Sequence, residues 1–303
     1  MKRVATARIA FQGERGAFSE EAALKLLGSD ITLVPCATFD ATFSAIRNQA
    51  ADYVLAPMEN SLAGSVHRSF DLLVESGLRI IGEVIIPIAH NLIGLPGAAL
   101  ERIASVESHP VALAQCEQFF IAHPQLKRIP AEDTAGSVRE VMQVGDATRA
   151  AIASKRAAEL YGAQILQESL EDDRQNYTRF FLLAPASSAT APNTLGAEGA
   201  PEFSAADKIS LVFQTAHRPG ALHHALEPFA RRNINMMKIE SRPVHGRPWQ
   251  YRFYLDLQAA ASDPEFAAAL DELVRQAVEL KVLGSYKSAD TAPAGKIASE
   301  GTE

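Results

Sequence analysis

Cysteine is nearly absent: Cys36 and Cys116 are the two in 303 residues. That excludes a disulfide framework and suits a reducing compartment. Cysteines and histidines form no cluster at zinc-ligand spacing, so no metal is expected. Basic charge is in deficit, with 29 Lys and Arg against 36 Asp and Glu and a net charge of -7. A nucleic-acid protein usually shows a basic face, and an anionic membrane attracts polybasic segments, so neither is an expected partner. Long apolar runs are also missing. Val84–Ala89 is among the longest, six residues that include Pro87, whereas a membrane span needs ~20. The opening MKRVATARIAFQG is basic but lacks the apolar run of a signal peptide. These absences together predict a cytoplasmic protein.

What is present is ordinary globular composition, 47% hydrophobic and 21% charged. The length suits two domains of ~150 residues each. Residues 185–206 read PASSATAPNTLGAEGAPEFSAA, small residues and prolines without periodicity, which is linker composition. Residues 288–303 read similarly and are expected to form a disordered tail. The chain thus divides into a large part, 8–184, and a small part, 207–287.

In the large part, strands at Arg8–Phe11 and Tyr53–Ala56 alternate with helices at Glu20–Leu27, capped by Ser19, and Ser65–Ser76. This alternation predicts an α/β fold with largely parallel sheets. Gly82–Leu95 and Ala163–Leu183 are the segments expected to carry the chain between two lobes flanking a cleft. The small part reads βαββαβ: Ile209–Gln214, Pro219–Arg231, Ile234–Val244, Trp249–Leu257, Asp263–Glu279 and Val282–Lys287. That is a ferredoxin-like order.

Seven stretches can carry chemistry. Gln12–Ser19 has glycines between a strand and a helix, where backbone N–H groups can approach an anion. It lacks the Lys-Ser/Thr pair of a P-loop and the spacing of a dinucleotide loop, so on pattern alone a plain tight turn is the favoured reading. Ala56–Val66 lies at the carboxyl end of a strand, where α/β sheets bind ligands. There Asn60, Ser61 and nearby amides can hold a carboxylate, or Ser61 and Ser65 can simply cap a helix. Glu107–Pro110 precedes a helix Val111–Ala122, with Ser108 a possible cap and His109 either structural or a donor. Glu132–Ser137 offers Thr134 before a helix Val138–Val144. Asp172–Leu183 runs from a polar loop into an apolar strand, in which Thr178 and Arg179 point to opposite faces. In the small part, Pro219–Leu222 opens a helix and Glu240–Pro243 interrupts a strand, marking an edge or bulge. Several helix N-termini, several hydroxyls and one arginine suit a small di-anionic substrate and a reaction that needs no cofactor.

The segments AFQGERGAFSEEAA, APMENSLAGSVHRSFDLL, SHPVALAQC, EDTAG, NYTRFFLL, RPGAL and ESRP occur in this order. Over residues 8–287 the chain resembles the prephenate dehydratases, with the related arogenate dehydratases, fused to a C-terminal ACT domain. The resemblance implies a two-lobed, periplasmic-binding-protein-like catalytic domain plus a ferredoxin-like ACT domain. It implies a lyase that converts prephenate to phenylpyruvate by loss of carbon dioxide and the ring hydroxyl. Aromatisation drives that reaction, and no cofactor is required. Arogenate as substrate is the alternative, and a non-catalytic amino-acid-binding sensor is a second. SVHRSFDLL looks like the plant-type members, which bears on that choice.

By resemblance, Thr178 donates a hydrogen bond to the departing oxygen, and Arg179 either neutralises a substrate carboxylate or fixes the loop. Asn60, Ser61 and Thr134 place substrate carboxylates, Glu59 orients those groups, and Phe180 is packing. The matching motifs extend the substrate-binding set to Gly64, Ser108, His109, Ala135, Gly136 and Asn176. In the small part, Gly220, Ala221, Leu222, Glu240, Ser241, Arg242 and Pro243 match the motifs that bind phenylalanine as feedback effector. Domains of this kind pair between chains, so a homodimer or homotetramer is expected.

Overall fold

A computed structural model describes residues 6–186, 206–244 and 246–289. The first lobe holds β1 (Ala7–Gln12), α1 (Phe18–Leu27), β2 (Ile31–Cys36), α2 (Phe39–Arg47), β3 (Tyr53–Asn60), β4 (Gly64–Ser65), α3 (His67–Ser76) and β5 (Leu78–Pro87). The second holds β6 (Asn91–Gly94), β7 (Ser105–Ser108), α4 (Pro110–Ala114), α5 (Glu117–Ala122) and β8 (Lys127–Pro130), followed by α6 (Thr134–Val144), β9 (Arg149–Ala153), α7 (Lys155–Tyr161) and β10 (Gln164–Gln167). The chain then returns to the first lobe as β11 (Tyr177–Pro185).

Each lobe is built on its own sheet, β5-β11-β3-β1-β2 in the first and β10-β6-β9-β7-β8 in the second. The two expected crossings are where the sequence puts them, between β5 and β6 and between β10 and β11. They also make both sheets mixed rather than largely parallel. A strand returning from the other lobe enters from the opposite end, so β11 runs antiparallel to both β3 and β5. In the second lobe β6 runs antiparallel to β9 and β10.

The C-terminal part comprises β12 (Lys208–Thr215), α8 (Ala221–Arg231), β13 (Met236–Val244), β14 (Arg247–Leu257), α9 (Pro264–Gln276) and β15 (Ala277–Tyr286). Its sheet is ordered β13-β14-β12-β15. One face packs on the helices, with Ile209, Leu211 and Phe213 against Phe229, Phe266 and Leu273. The other presents Val212, Tyr254, Leu283 and Tyr286 to a core shared with Phe70, Leu73, Phe181 and Leu183 of the first lobe. Each such side chain contributes ~1.5–3 kcal/mol when fully buried, so this is a packed seam. Gly284 pairs with Ile80, which joins the two sheets into one. A Cβ at 284 would collide with the Ile80 carbonyl oxygen.

Several boundaries depart from the sequence reading. Ser19 is not a cap but a buried residue inside α1. No side chain caps α1; the Glu20 carboxylate instead ties down the loop before it, accepting from the Gly16 N–H at 2.9 Å. The expected helix Val111–Ala122 is broken at Gln115 and Cys116. Asp172 from the return crossing accepts from the Glu117 and Gln118 amides, both at 2.9 Å, and starts α5 anew. The strand β15 begins at Ala277, where the sequence suggests helix, because pairing with β12 along its full length outweighs the helical pattern. Pro243 lies within β13 with a register shift between it and Val244, and β13 is the outermost strand of its sheet, so here the expected edge holds and the missing N–H is tolerated. Pro185 belongs to β11. The amides of Ser288 and Ala289 are bound by Asp207 and Glu83. The rest of the expected linker and tail, 187–205 and 290–303, lies outside the described residues. No helix among the described residues is long and apolar enough to cross a membrane.

Candidate active site

Between the lobes lies a cleft cavity of about 440 Å³. Its first-lobe wall is formed by the ends of β3 and β11 and the glycine loop before α1. Its second-lobe wall is formed by the starts of α4 and α6, with His90 at the crossing and Gln115 at the end of α4. The glycine loop closes one side. Gly16 sits at φ +85°, and its Cα position leaves 2.9 Å between an added Cβ and the Ala157 Cα, so only glycine lets the loop meet α7. Ser154 donates to the Gly16 carbonyl at 2.8 Å, and Tyr161 donates to that of Arg15 at 3.0 Å. The loop therefore spans the lobes as well as lining the cleft.

At the centre of the first-lobe wall, Thr178 is the cross-strand partner of Asn60. The Asn60 side-chain oxygen accepts from the Leu62 and Ala63 amides at 3.1 and 2.8 Å. Its orientation is thereby set, with the NH2 facing β11. That NH2 donates to Thr178 Oγ1 at 2.9 Å, to Asn176 Oδ1 at 2.7 Å and to the Tyr177 carbonyl at 3.1 Å. Thr178 Oγ1 is thus already an acceptor, and its own proton is left to donate into the cleft. Asn176 in turn donates to Gln115 Oε1 at 3.0 Å. Gln115 Oε1 also meets His90 Nε2 at 2.9 Å, so Nε2 is the protonated nitrogen. His90 Nδ1 has no partner. Burial is the main influence on His90 and holds its pKa below the usual histidine value, keeping the ring neutral.

Of the expected residues, Asn60, Gly64, His109, Thr134, Thr178 and Phe180 line the cleft. His109 Nδ1 accepts from the Val111 N–H at 3.2 Å, which caps α4 and leaves Nε2–H as the ring donor. Burial, first of all, lowers its pKa, with Asp133 opposing. The others stand back from the cavity. Asn176 is buried behind Asn60, whose NH2 it shares with Thr178. Ser61 ties the β3 end to the return crossing, donating to the Gln175 carbonyl at 2.7 Å. Ser108 does not cap a helix; it is buried and donates to the Ile152 carbonyl at 2.6 Å. Ala135 is core, and the Gly136 N–H is held by Asp133 at 2.6 Å.

Arg179 and Glu59 leave the cleft altogether. Strand alternation turns Arg179 to the opposite face of the sheet, where it meets Glu83, Asp256 and Tyr286. The expectation that it neutralises a substrate carboxylate does not hold. The register shifts between Arg179 and Phe180, leaving Met58 as an extra residue in β3. Glu59 therefore faces the same side as Arg179 and pairs with Lys238 at 2.7 Å. No Lys or Arg is among the described residues lining the cavity, whereas Glu132 and Asp133 are. Anions there must be held by amides, hydroxyls and the His109 ring.

The effector motifs occupy different elements. Gly220, at φ +76°, precedes α8, which Ala221 and Leu222 begin. On β13 Glu240 accepts from the Ser65 hydroxyl at 2.6 Å, and Arg242 pairs with Asp71 at 3.2 Å, while Ser241 and Pro243 face outward. Exposed His223, His224 and Glu227 lie within 4.8 Å of one another on α8, away from the cleft.

His90 and Gln115 are absent from the sequence-based set. A lone histidine in the crossing IIPIAHNLIG, apolar but for Asn91 beside it, was the available signal. Gln115 carried none, because its role follows from the break between α4 and α5.

A model of the prephenate dehydratase family matches residues 9–188, more than half the chain, and an ACT domain model matches residues 209–275. The chain belongs to the prephenate dehydratase family. It is 39% identical over 288 residues to an arogenate dehydratase/prephenate dehydratase of Arabidopsis thaliana, covering 92% of this chain and 72% of the relative. Among solved structures, prephenate dehydratase from Arthrobacter aurescens in complex with L-Phe is similar at 33% identity and a TM-score of 0.81, over 95% of this chain and 92% of the other. A protein described as a novel type of quorum quenching acylase is similar at 33% identity and a TM-score of 0.80, over 94% and 98%.

Proposed function

We propose that this member of the family converts prephenate to phenylpyruvate, water and carbon dioxide, with phenylalanine as effector at the ACT domain. Residues 8–184 are the catalytic domain and 207–287 the regulatory one. The observation that carries the reading is the Asn60–Thr178 pair. As the ring carboxylate leaves as carbon dioxide, its bonding electrons enter the ring and the C–O bond opposite breaks. Negative charge grows on the departing oxygen. Thr178 Oγ1, fixed as an acceptor by Asn60, directs its proton at that oxygen and stabilises the charge without reorganising. A threonine hydroxyl is too weak an acid to be the net proton source, so the leaving oxygen takes its proton from water or the solvent-facing side of the cleft. The Thr134 hydroxyl serves a substrate carboxylate, whereas the Gly136 amide at the start of α6 is already taken by Asp133.

A second reading, arogenate as substrate, draws support from Glu132 and Asp133. They place carboxylates on a cleft wall without lysine or arginine, which suits an ammonium group. An acylase reading has less support. Among the described residues, no hydrogen bond joins a cleft serine or cysteine to a histidine, the pairing that activates such a nucleophile.

Purified protein offered each diene separately should aromatise prephenate, read as phenylpyruvate absorbance, with a higher kcat/KM than arogenate. A reversed ratio establishes the second reading; no turnover of either overturns both. Met237, Ile239, Trp249 and Tyr251 are 40–77% exposed along β13 and β14, which supports pairing of chains as a homodimer or homotetramer. Light scattering gives the mass. A cytoplasmic location fits two cysteines that are both free.

A further inference from the structure

Behind the catalytic pair, on the far face of the same sheet, sits its charged counterpart. Asn60 pairs with Thr178 across β3 and β11, and the next rung pairs Glu59 with Arg179. Glu59 and Arg179 touch no part of the cleft. Both are held by the C-terminal domain. Arg179 donates to Asp256 at 2.6 Å and to the Tyr286 hydroxyl at 3.2 Å, and also meets Glu83. Ser210 ties Asp256 and Tyr286 together, at 2.5 and 2.6 Å, and Lys208 reaches Glu83 at 2.9 Å. Glu59 is held by Lys238 at 2.7 Å, and Lys238 also contacts Glu240 and Ser65, at 3.3 and 3.2 Å. Two cations, Arg179 and Lys208, balance two carboxylates, Glu83 and Asp256, all at least nine-tenths buried. Charges placed so deeply cannot shift one at a time without stranding a partner, so the cluster moves as a unit.

We infer that Glu59 and Arg179 are positioning residues through which the ACT domain sets the geometry of Asn60 and Thr178. Each is one peptide unit from a cleft group, and their backbone is the rung beside the catalytic one. Displacement of β13 or β14 therefore reaches Thr178 through the strand itself. Glu240 belongs to the stretch assigned above to the effector, so phenylalanine at β13 acts on the Lys238–Glu59 arm directly. A misplacement of ~1 Å at a reacting group can cost ~10²-fold in rate, so a small shift suffices for control.

The inference rests on the dehydratase reading for its turnover readout. Two full-length variants test it, Asp256→Asn, which keeps shape and removes charge, and Tyr286→Phe, which removes one hydroxyl. In both, kcat should fall about 10- to 100-fold with KM within about twofold. The phenylalanine concentration for half-response should shift by ~5-fold or more. Hydrogen exchange at the amides of residues 58–61 and 177–180 should quicken in both. Should Asp256→Asn fail to fold, Tyr286→Phe alone decides. A lowered melting temperature with wild-type kcat and phenylalanine response overturns the inference. If the wild-type protein aromatises neither diene, the dehydratase reading fails by itself. Exchange then decides: unchanged protection in the cleft-facing segments refutes the coupling, and faster exchange supports it.

Discussion

The two faces of β11 solve opposite electrostatic problems within one peptide unit. On the cleft face, Thr178, Asn60, Asn176, Gln115 and His90 form a chain of neutral groups, each orienting the next by one hydrogen bond. On the seam face, Arg179, Glu83, Asp256 and Lys208 are charged and buried. Burial alone would lower the Arg179 pKa; Asp256, Tyr286 and Glu83 outweigh it and raise it instead. Burial also pushes the Tyr286 hydroxyl well above its ordinary value, with Asp256 adding to the effect. A neutral network adds no charge of its own beside Thr178, so the charges facing the substrate are those of Glu132 and Asp133 on the opposite wall. A balanced charged one fixes the docking of two domains, because a misdocked arrangement leaves ions unpaired.

The comparison breaks first at Arg179. Arg179→Met strands Glu83 and Asp256 and should lower the unfolding free energy by about 3–5 kcal/mol, read from urea unfolding. A loss under about 1 kcal/mol means that water reaches the seam and the charges are not paired by necessity. Thr178→Ala tests the other face. It should lower kcat by ~10²–10³-fold, as for loss of one preorganised donor, with KM nearly unchanged. Its unfolding midpoint should stay close to wild type. Near-normal turnover would make Thr178 a strand residue only.

Some of this contrast is legible in the sequence. Period-two alternation puts Thr178 and Arg179 on opposite faces, and the apolar run that follows, Phe180 to Leu183, divides between two cores in the same alternation. The βαββαβ order and the two crossings are equally local, resting on patterns within each segment. The bulge at Met58 is not. Strict alternation groups Asn60 with Met58 and Ala56, whereas the extra residue puts it on the cleft face with Pro57. The seam charges are also illegible, because Glu83, Lys208 and Asp256 come from three different strands, far apart in the chain. Their burial is decided by how two domains meet, which no window of sequence contains. That is why the sequence reading left Arg179 between a substrate carboxylate and the fixing of its loop.

Gly284 probes the seam without touching its charges. It sits against the Ile80 carbonyl where the two sheets join. Gly284→Ala forces the strands apart and should cost about 1–3 kcal/mol, in the range of overpacked sites. Thermal unfolding gives the value. If the cost falls below about 0.5 kcal/mol, the two sheets are not in contact there and the seam is looser than its ion pairs imply.

The smallest effect concerns the neutral face and appears only on acidification. His90 is 2% exposed and its folded pKa lies below the ordinary value, first because of burial. In the unfolded chain it titrates near 6.5. As pH falls below that value, the unfolded state binds a proton that the folded state refuses. Stability therefore declines with falling pH until the folded pKa is passed. His90→Gln keeps a hydrogen-bonding amide at the crossing and removes the titration. Its stability between pH 7 and pH 5 should fall less steeply than that of wild type, by denaturant unfolding at each pH. The remaining seven histidines are common to both proteins, so the difference in slope belongs to His90. Parallel curves would mean that the ring titrates as freely in the folded protein as in water, and that the cleft face is wetter than its hydrogen-bond chain requires.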